Sequence, residues 1–199
     1  MSGKKIALYI VGAVVLVFAG MAAWMLGPAL LPTKSIDVGI AVGATAPVEM
    51  ELYDAKGEPT TLAGNMGERG MVLFLVRSAD WCPFCQAQLI ETNGIHGNIN
   101  AKGYSLASLS YDKSDLLAKF AANKGINFTM LSDINSAMID ALDVRDPQYG
   151  PESSAYGVPR ATILVLAPNG RVKAKHVSED FRSRPSNDDV LAMIAGVAE

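Results

Sequence analysis

Hydrophobic and polar residues follow three different patterns along this chain. A continuous apolar run covers residues 6–31, where 22 of the 26 side chains are hydrophobic and none is charged. Two shorter runs, at 71–76 and 162–166, are typical of strands that are buried on both faces of a sheet. Segments with helical periodicity alternate with further strand candidates elsewhere. The pattern therefore predicts an α/β domain with a mixed sheet behind an apolar N-terminal segment.

Start and stop signals place the elements of the predicted domain. Pro83 suits the first turn of a helix that follows the first apolar strand, and Asn93-Gly94 bends or ends that helix. Asp112 or Ser114 can cap a later helix. The other elements, in chain order, are a hairpin over 48–62, strands at 104–110 and 128–131, helices over 115–124 and 135–142, a turn-rich loop over 145–154, a hairpin of strands 162–166 and 172–177, and a helix over 187–197.

The N-terminal apolar segment predicts a single membrane span. Its first 21 residues, 6–26, would form a helix that matches a hydrocarbon core of about 30 Å. Lys4 and Lys5 precede it and only Lys34 follows closely, which places the N-terminus in the cytoplasm and the domain outside. The alternative is a cleaved signal peptide, but the run exceeds the usual apolar length of about 7–15 residues and offers a poor cleavage site.

These features predict the domain organisation and the location. Residues 1–5 are predicted as a cytoplasmic N-terminus, 6–31 as a transmembrane signal anchor, 32–42 as a linker and 43–199 as the folded domain. The protein would then be a single-pass protein of a bacterial inner membrane, with its domain facing the periplasm or the outside.

Composition and charge agree with this division. The 199 residues are 50% hydrophobic and 19% charged, with a mean hydropathy of +0.22, which is too apolar for an average globular domain. All 20 acidic residues lie at or after Asp37, together with 14 of the 17 basic residues, so the chain from residue 36 carries a net charge of −6. This acidic balance excludes the basic surface that nucleic-acid binding requires.

The candidate chemistry lies in the two cysteines, which form the motif Trp81-Cys82-Pro83-Phe84-Cys85. The motif follows a buried strand and opens a helix. The free N–H groups and the positive dipole end of a helix N-terminus stabilise a thiolate, so Cys82 is predicted as the nucleophile. Cys85, one turn further along, is predicted as the resolving thiol that releases a mixed disulfide from Cys82.

The cysteine pair has three other possible uses. A purely structural disulfide would close so short a loop that it removes little entropy from the unfolded chain. A zinc site needs four ligands, and beyond the cysteines the chain offers only His96 and His176 as usual nitrogen ligands. A copper(I) chaperone needs only soft thiolates and stays an alternative. The prediction of a redox-active pair therefore includes no metal or other cofactor.

With this motif in place the chain resembles the thioredoxin-like superfamily. More narrowly, it resembles the branch of alkyl hydroperoxide reductase/thiol-specific antioxidant (AhpC/TSA), or redoxin, domains, which have a three-layer sandwich fold. The resemblance is carried by four places: Gly43-Ala44-Thr45-Ala46-Pro47 with Gly57 downstream, the strand at 72–76 with the cysteine motif, Tyr156-Gly157-Val158-Pro159, and the strand and turn at 162–170.

The resemblance implies roles for several residues outside the pair. The Val158–Pro159 bond would be the cis bond that faces the cysteines in the thioredoxin fold, and the Val158 backbone would hydrogen-bond the substrate. Arg160 lies near the position where peroxiredoxins keep an arginine that stabilises the thiolate. The implied substrate contacts are Trp81, Pro83, Phe84, Val158 and Arg160.

Departures from the family pattern separate its possible activities. Peroxiredoxins place a proline and a threonine or serine seven and three residues before the reactive cysteine, and here those positions hold Leu75 and Ala79. Thioredoxin has a buried acid six residues before its first cysteine, where this chain has Val76. Ala79 lacks the hydroxyl that would bind a peroxide, and Val76 requires another proton route.

The sequence thus predicts a thiol–disulfide oxidoreductase that acts on disulfides of exported proteins. Its partners would be those proteins and a membrane-embedded electron donor, because an exported dithiol lies in an oxidising compartment. The first alternative is a thiol-dependent peroxidase of the AhpC/TSA family, and the second is a copper(I) chaperone.

Overall fold

The computed structural model describes residues 3–27 and 33–197, apart from the side chains of residues 3–8 and 26. The strands in this part of the chain are β1 (Leu52–Asp54), β2 (Pro59–Thr60), β3 (Gly70–Leu75), β4 (Tyr104–Ser110), β5 (Thr129–Ser132), β6 (Thr162–Leu166) and β7 (Val172–Val177). The α-helices are α1 (Gly3–Leu26), α2 (Pro83–Asn93), α3 (His96–Ala101), α4 (Ser114–Lys124), α5 (Ala137–Ala141) and α6 (Asn187–Ala195).

The described strands form one sheet in the order β2-β1-β5-β4-β3-β6-β7. Strands β3, β4 and β5 run parallel to one another, whereas β1 pairs antiparallel with β5 and β6 pairs antiparallel with β3. The sheet is therefore mixed, as the sequence predicts. Strand β7 pairs antiparallel with β6, which confirms the predicted hairpin.

Strand β3 shows why the sheet has a layer on each side. All six of its residues are buried. Val72 and Phe74 belong to one hydrophobic cluster, with residues of α2, α4 and α6, while Leu73 and Leu75 belong to another, with residues of α5. Each such side chain contributes about 1.5–3 kcal/mol by leaving water. The predicted α/β three-layer sandwich is confirmed, and the interior position of β3 explains its unbroken apolar run.

Several helix ends agree with the local signals, and one does not. Helix α2 ends at Asn93 and α3 begins at His96, so the predicted break at Asn93-Gly94 is confirmed. Gly125 ends α4 with φ of 63°, a left-handed conformation that glycine adopts without strain. The start of α4 is different. Lys113 precedes it without a side-chain cap, and the predicted cap Asp112 is buried and bonded elsewhere.

The predicted membrane span finds no support in the described residues, where no helix combines the length and hydropathy that a crossing requires. Positions 28–32 of the predicted anchor and linker lie outside the described residues.

Candidate active site

The loop between β3 and α2 is held by one buried carboxylate. Asp112 accepts hydrogen bonds from the Ser78 hydroxyl at 2.8 Å, the Ala79 N–H at 2.7 Å and the Ser110 hydroxyl at 2.8 Å. Burial raises the pKa of Asp112, while these three hydrogen bonds oppose the rise. Asp112, which follows β4, therefore fixes the backbone three residues before Cys82.

Two further side chains close the turn that leads to the cysteines. The Ser78 hydroxyl oxygen accepts hydrogen bonds from the N–H groups of Asp80 at 2.9 Å and Trp81 at 3.2 Å. Gln86, on the first turns of α2, donates from Nε2 to the carbonyls of Ala79 and Asp80 at 2.9 and 2.7 Å. The loop is thus tied to both the sheet and the helix that carries Cys85.

Cys82 and Cys85 form a disulfide at the start of α2. Cys82 is the N-cap residue, Pro83 begins the helix, and the Cys82 Sγ accepts the Cys85 N–H at 3.2 Å. Only 2% of Cys82 and 0% of Cys85 is exposed. The Cys82 sulfur therefore has a backbone donor and a helix N-terminus to stabilise it as a thiolate after reduction.

Two arginines lie at the site: Arg77 is almost wholly buried, and Arg184 is half-buried, with its Nε atom shielded from solvent. Arg184, in the segment between β7 and α6, places Nη2 at 3.4 Å from the Cys85 Sγ. Burial, followed by repulsion from Arg77, lowers the pKa of Arg184 to about 9. The Arg77 guanidinium lies 4.0 Å from the ring centroid of Phe181 and 5.5 Å from that of Trp81.

The segment between β7 and α6 also places the ring of Phe181 against the cysteine motif. Phe181 and Phe84 meet edge to face, with their centroids 6.0 Å apart. Phe84 is consequently half-buried by the protein itself, whereas Trp81 is 44% exposed and Pro83 is exposed. Of the three predicted substrate contacts in the motif, Trp81 and Pro83 are therefore open to a partner.

Trp81 also borders the nearest sizeable cleft. Its Nε1 donates to the Tyr111 hydroxyl at 3.0 Å, and burial, with smaller opposing effects, raises the pKa of Tyr111. The cleft has a volume of about 700 Å³ and includes both side chains and Tyr149 in its lining. Neither cysteine lines it.

The structure corrects the predicted cis bond between Val158 and Pro159. The peptide bonds of the described residues, including Val158–Pro159, are trans. The Val158 N–H donates to the Ala155 carbonyl, and the Val158 carbonyl accepts from the Asp146 N–H. Both backbone groups of Val158 are thus used within the protein, and its side chain is fully buried. This segment pairs with residues 144–146 as extended backbone, which accommodates a trans proline.

Arg160 lies away from the sulfurs in the described contacts. Its backbone N–H donates to the Val144 carbonyl, and its side chain lines a different cavity, of about 460 Å³, with Asp146 and Phe181. The arginine that touches the pair is Arg184. Sequence reasoning missed it because 99 residues separate it from Cys85 and no motif marks it.

Asp112 and Arg77 were missed for different reasons. The position of Asp112 before a helix is typical of a cap, and only the fold turns its carboxylate towards Ala79. Arg77, directly after a buried strand, offered a signal, since a charged residue there is either exposed or engaged in a special contact.

The two histidines that the sequence offers as zinc ligands contact polar side chains instead of the cysteines. His96 Nε2 is 2.9 Å from the Asn100 amide, and His176 Nε2 is 3.2 Å from the Thr33 hydroxyl. Within the described part of the chain, no three His, Cys, Asp or Glu side chains are grouped to hold a metal ion.

A mixed sheet between helical layers, with a redox disulfide where a central strand meets a helix, defines a thioredoxin-like redox protein. The sequence model of the AhpC/TSA family matches residues 42–175, and the chain belongs to this family.

Curated relatives and solved structures agree with this assignment. Peroxiredoxin Bcp of Escherichia coli (strain K12) is 27% identical over 152 residues, which are 76% of this chain and 94% of that protein. The Bcp peroxiredoxin of Xanthomonas campestris is 26% identical over 127 residues, or 64% and 78% of the two chains.

The solved structures support the fold. Peroxiredoxin Q of Xanthomonas campestris superposes with a TM-score of 0.65 at 23% identity, over 82% of this chain and 100% of that one. A peroxiredoxin-like protein from Aquifex aeolicus gives 0.66 at 18% identity, over 83% and 92%. The thioredoxin-like fold with its mixed sheet is therefore confirmed.

Proposed function

We propose that this protein is a thiol peroxidase that reduces hydroperoxides with Cys82 as the attacking thiolate and Cys85 as the resolving thiol. The observation that carries the proposal is the buried Cys82–Cys85 disulfide at the N-terminus of α2, in a chain of the AhpC/TSA family. The relatives it matches over most of their length are named peroxiredoxins. A thiol-dependent peroxidase is also the first alternative that the sequence predicts.

The chemistry balances with the two cysteines alone. The Cys82 thiolate attacks the terminal oxygen of ROOH, the O–O bond breaks, and RO⁻ leaves with the bonding electrons and takes a proton from solvent. Cys82 then carries a sulfenic acid, S–OH. The Cys85 thiolate attacks the Cys82 sulfur, hydroxide leaves and combines with the proton that Cys85 had released to form water, and the disulfide forms. An external dithiol restores the pair.

Burial favours a small substrate. With only 2% of Cys82 exposed, a folded protein disulfide cannot approach its sulfur unless the covering side chains move. A hydroperoxide presents two reacting oxygen atoms and needs a much smaller opening. The disulfide already lies within one helical turn, so α2 keeps its helical start at Pro83 in the oxidised state.

The test is stopped-flow oxidation of the reduced protein by hydrogen peroxide and by an organic hydroperoxide. We expect thiol oxidation at least about 10³-fold faster than that of free cysteine, loss of this reaction in Cys82→Ser, and one turnover with a trappable sulfenic acid in Cys85→Ser. Oxidation of the wild type at the rate of free cysteine would overturn the proposal.

A second candidate function is dithiol–disulfide exchange, the main prediction from the sequence. It is favoured by one observation: Ala79 lies where a hydroxyl would hold a peroxide, and its backbone N–H is already bonded to Asp112. In that role the predicted partners are disulfides of exported proteins and a membrane-embedded electron donor, and the predicted location is the outer face of a bacterial inner membrane. These partners and this location stay predictions.

Insulin reduction separates the two functions. A peroxidase of the proposed kind consumes peroxide and reduces insulin no faster than a small dithiol does. Rapid, Cys82-dependent insulin reduction together with slow peroxide consumption would favour disulfide exchange instead.

A further inference from the structure

The disulfide lies beside the positive charge of Arg184, which forms no ion pair with a carboxylate among the described residues. Arg77 is buried and Arg184 is half-buried, and in the described residues neither forms an ion pair with an acidic side chain. The Nε atom of each is buried without a hydrogen-bond partner in that part of the chain. Asp180, in the segment between β7 and α6, is instead paired with Arg182 at 2.7 Å.

An arginine without a counterion lowers the stability of the folded protein while the sulfurs are oxidised. A buried cation without a counterion is destabilising, and the disulfide is neutral. Reduction changes this balance, because it can place a negative charge on a sulfur that Arg184 already touches at 3.4 Å. An opposite charge at that distance strongly favours the ionised form of a thiol.

We propose that Arg184 stabilises the Cys85 thiolate, so that Cys85 is the leaving group whenever the disulfide is reduced and a reactive thiolate whenever it re-forms. The inference rests on the redox cycling of the pair in the proposed function. It assigns to Cys85 a charge partner of its own, in addition to the helix N-terminus that serves Cys82.

The step it describes is the reductive half of the cycle. A thiolate of an external dithiol attacks the Cys82 Sγ, the Cys82–Cys85 bond breaks, and its electron pair leaves on Cys85 Sγ, next to the Arg184 guanidinium. The second thiolate of the reductant then attacks its own sulfur in the mixed disulfide and releases Cys82. The reductant is oxidised to a disulfide, and the pair gains two electrons.

Arg184 is separate from the arginine that the family resemblance implied. The predicted thiolate partner was Arg160, which lies in a different cavity. Arg184 lies beyond residues 42–175, where the family model matches. The charge partner of Cys85 is therefore supplied by the C-terminal segment of this chain.

The redox equilibrium of the pair tests the inference without any peroxide. The full chain is equilibrated with mixtures of reduced and oxidised dithiothreitol, and the reduced fraction is measured by thiol trapping. We expect Arg184→Met to lower the equilibrium constant for reduction about tenfold, a shift of about 30 mV to a more negative potential. Arg184→Lys keeps the charge and should stay within about threefold of the wild type, about 14 mV.

The matched control is Arg171→Gln, which removes one positive charge from an exposed position at the start of β7. It should leave the equilibrium constant unchanged. A second readout uses the Cys82→Ser background, where Arg184→Met should slow alkylation of Cys85 by iodoacetamide about tenfold. If Arg184→Met does not fold, Arg184→Gln gives the same comparison, because it keeps an amide donor and loses the charge.

The outcomes distinguish the two proposals. An equilibrium constant within threefold of the wild type in the uncharged variants would overturn the role of Arg184, whatever the peroxide kinetics show. A tenfold shift in a protein that oxidises slowly with peroxide would support Arg184 and overturn the peroxidase proposal.

Discussion

Two ionisable side chains, the buried Asp112 and the half-buried Arg184, support the cysteine motif from opposite ends, and they differ in how their polar atoms are used. Asp112 holds the loop before Cys82 and accepts three short hydrogen bonds, from two hydroxyls and one backbone N–H. Arg184 touches Cys85 with one nitrogen, and its Nε has no partner within the described residues.

This difference indicates that Asp112 stabilises the fold, whereas Arg184 acts on the chemistry of the sulfurs. A carboxylate with its acceptor sites filled contributes to stability, because its removal leaves donors unpaired in the interior. A guanidinium that lacks a counterion does little for the folded state, but it stabilises any negative charge that forms beside it. The two regions should therefore respond to substitution in opposite ways.

The largest effect is expected from Asp112→Ala. The Ala79 N–H would be buried without an acceptor and the loop would lose its link to β4, so the free energy of unfolding should fall by about 3 kcal/mol. Urea unfolding of the oxidised protein, followed by circular dichroism, measures the change.

Asp115→Ala is the control for that experiment. It removes the same side chain from an exposed position in the first turn of α4, where the loss should stay below about 1 kcal/mol. Equal losses in the two variants would show that Asp112 does not anchor the loop.

Arg184→Met should have a smaller effect, and its sign should depend on the redox state. In the oxidised protein the apolar side chain replaces a half-buried charge that has no ion-pair partner among the described residues, so the free energy of unfolding should rise by up to about 1 kcal/mol. In the reduced protein the same substitution removes the partner of the Cys85 thiolate and should destabilise. A clear loss of stability in the oxidised form would contradict the contrast with Asp112.

His176, which is half-buried, extends the comparison to a third ionisable group and gives the smallest effect. Burial, together with Arg184, lowers its pKa below 6.5, while Asp189 opposes the shift. The unfolded chain therefore binds a proton at a pH where the folded protein does not, so the stability present above pH 6.5 is lost as the pH falls through the folded-state pKa.

Urea unfolding at pH 7.5 and pH 5.0 measures this loss in the wild type and in His176→Gln. Since His176 keeps part of its surface in solvent, we expect the wild type to lose less than about 1 kcal/mol more than the variant. Identical losses would show that His176 does not titrate differently on folding.

The elements of the fold were predicted where the signal is local. The apolar run of β3, the Pro168-Asn169-Gly170 turn between β6 and β7, and the break after Asn93 were each placed from neighbouring residues and are confirmed. The Cys82–Pro83 start of α2 was predicted in the same way, and it fixes the position of the disulfide at the helix N-terminus.

The surroundings of the disulfide were predicted less well. Pro159 was expected to form a cis bond, but residues 158–160 pair with 144–146 as trans, extended backbone, which uses both backbone groups of Val158. Arg160 was expected beside the thiolate and lies in another cavity.

The sequence by itself determined which two sulfurs form the pair, because a turn of helix brings residues three positions apart together whatever surrounds them. Only the tertiary structure decided which charges those sulfurs meet. Asp112 reaches Ala79 across 33 residues and Arg184 reaches Cys85 across 99. Contacts of that kind depend on how the sheet and its helical layers pack, and the strength of a buried charge depends on the water that packing excludes.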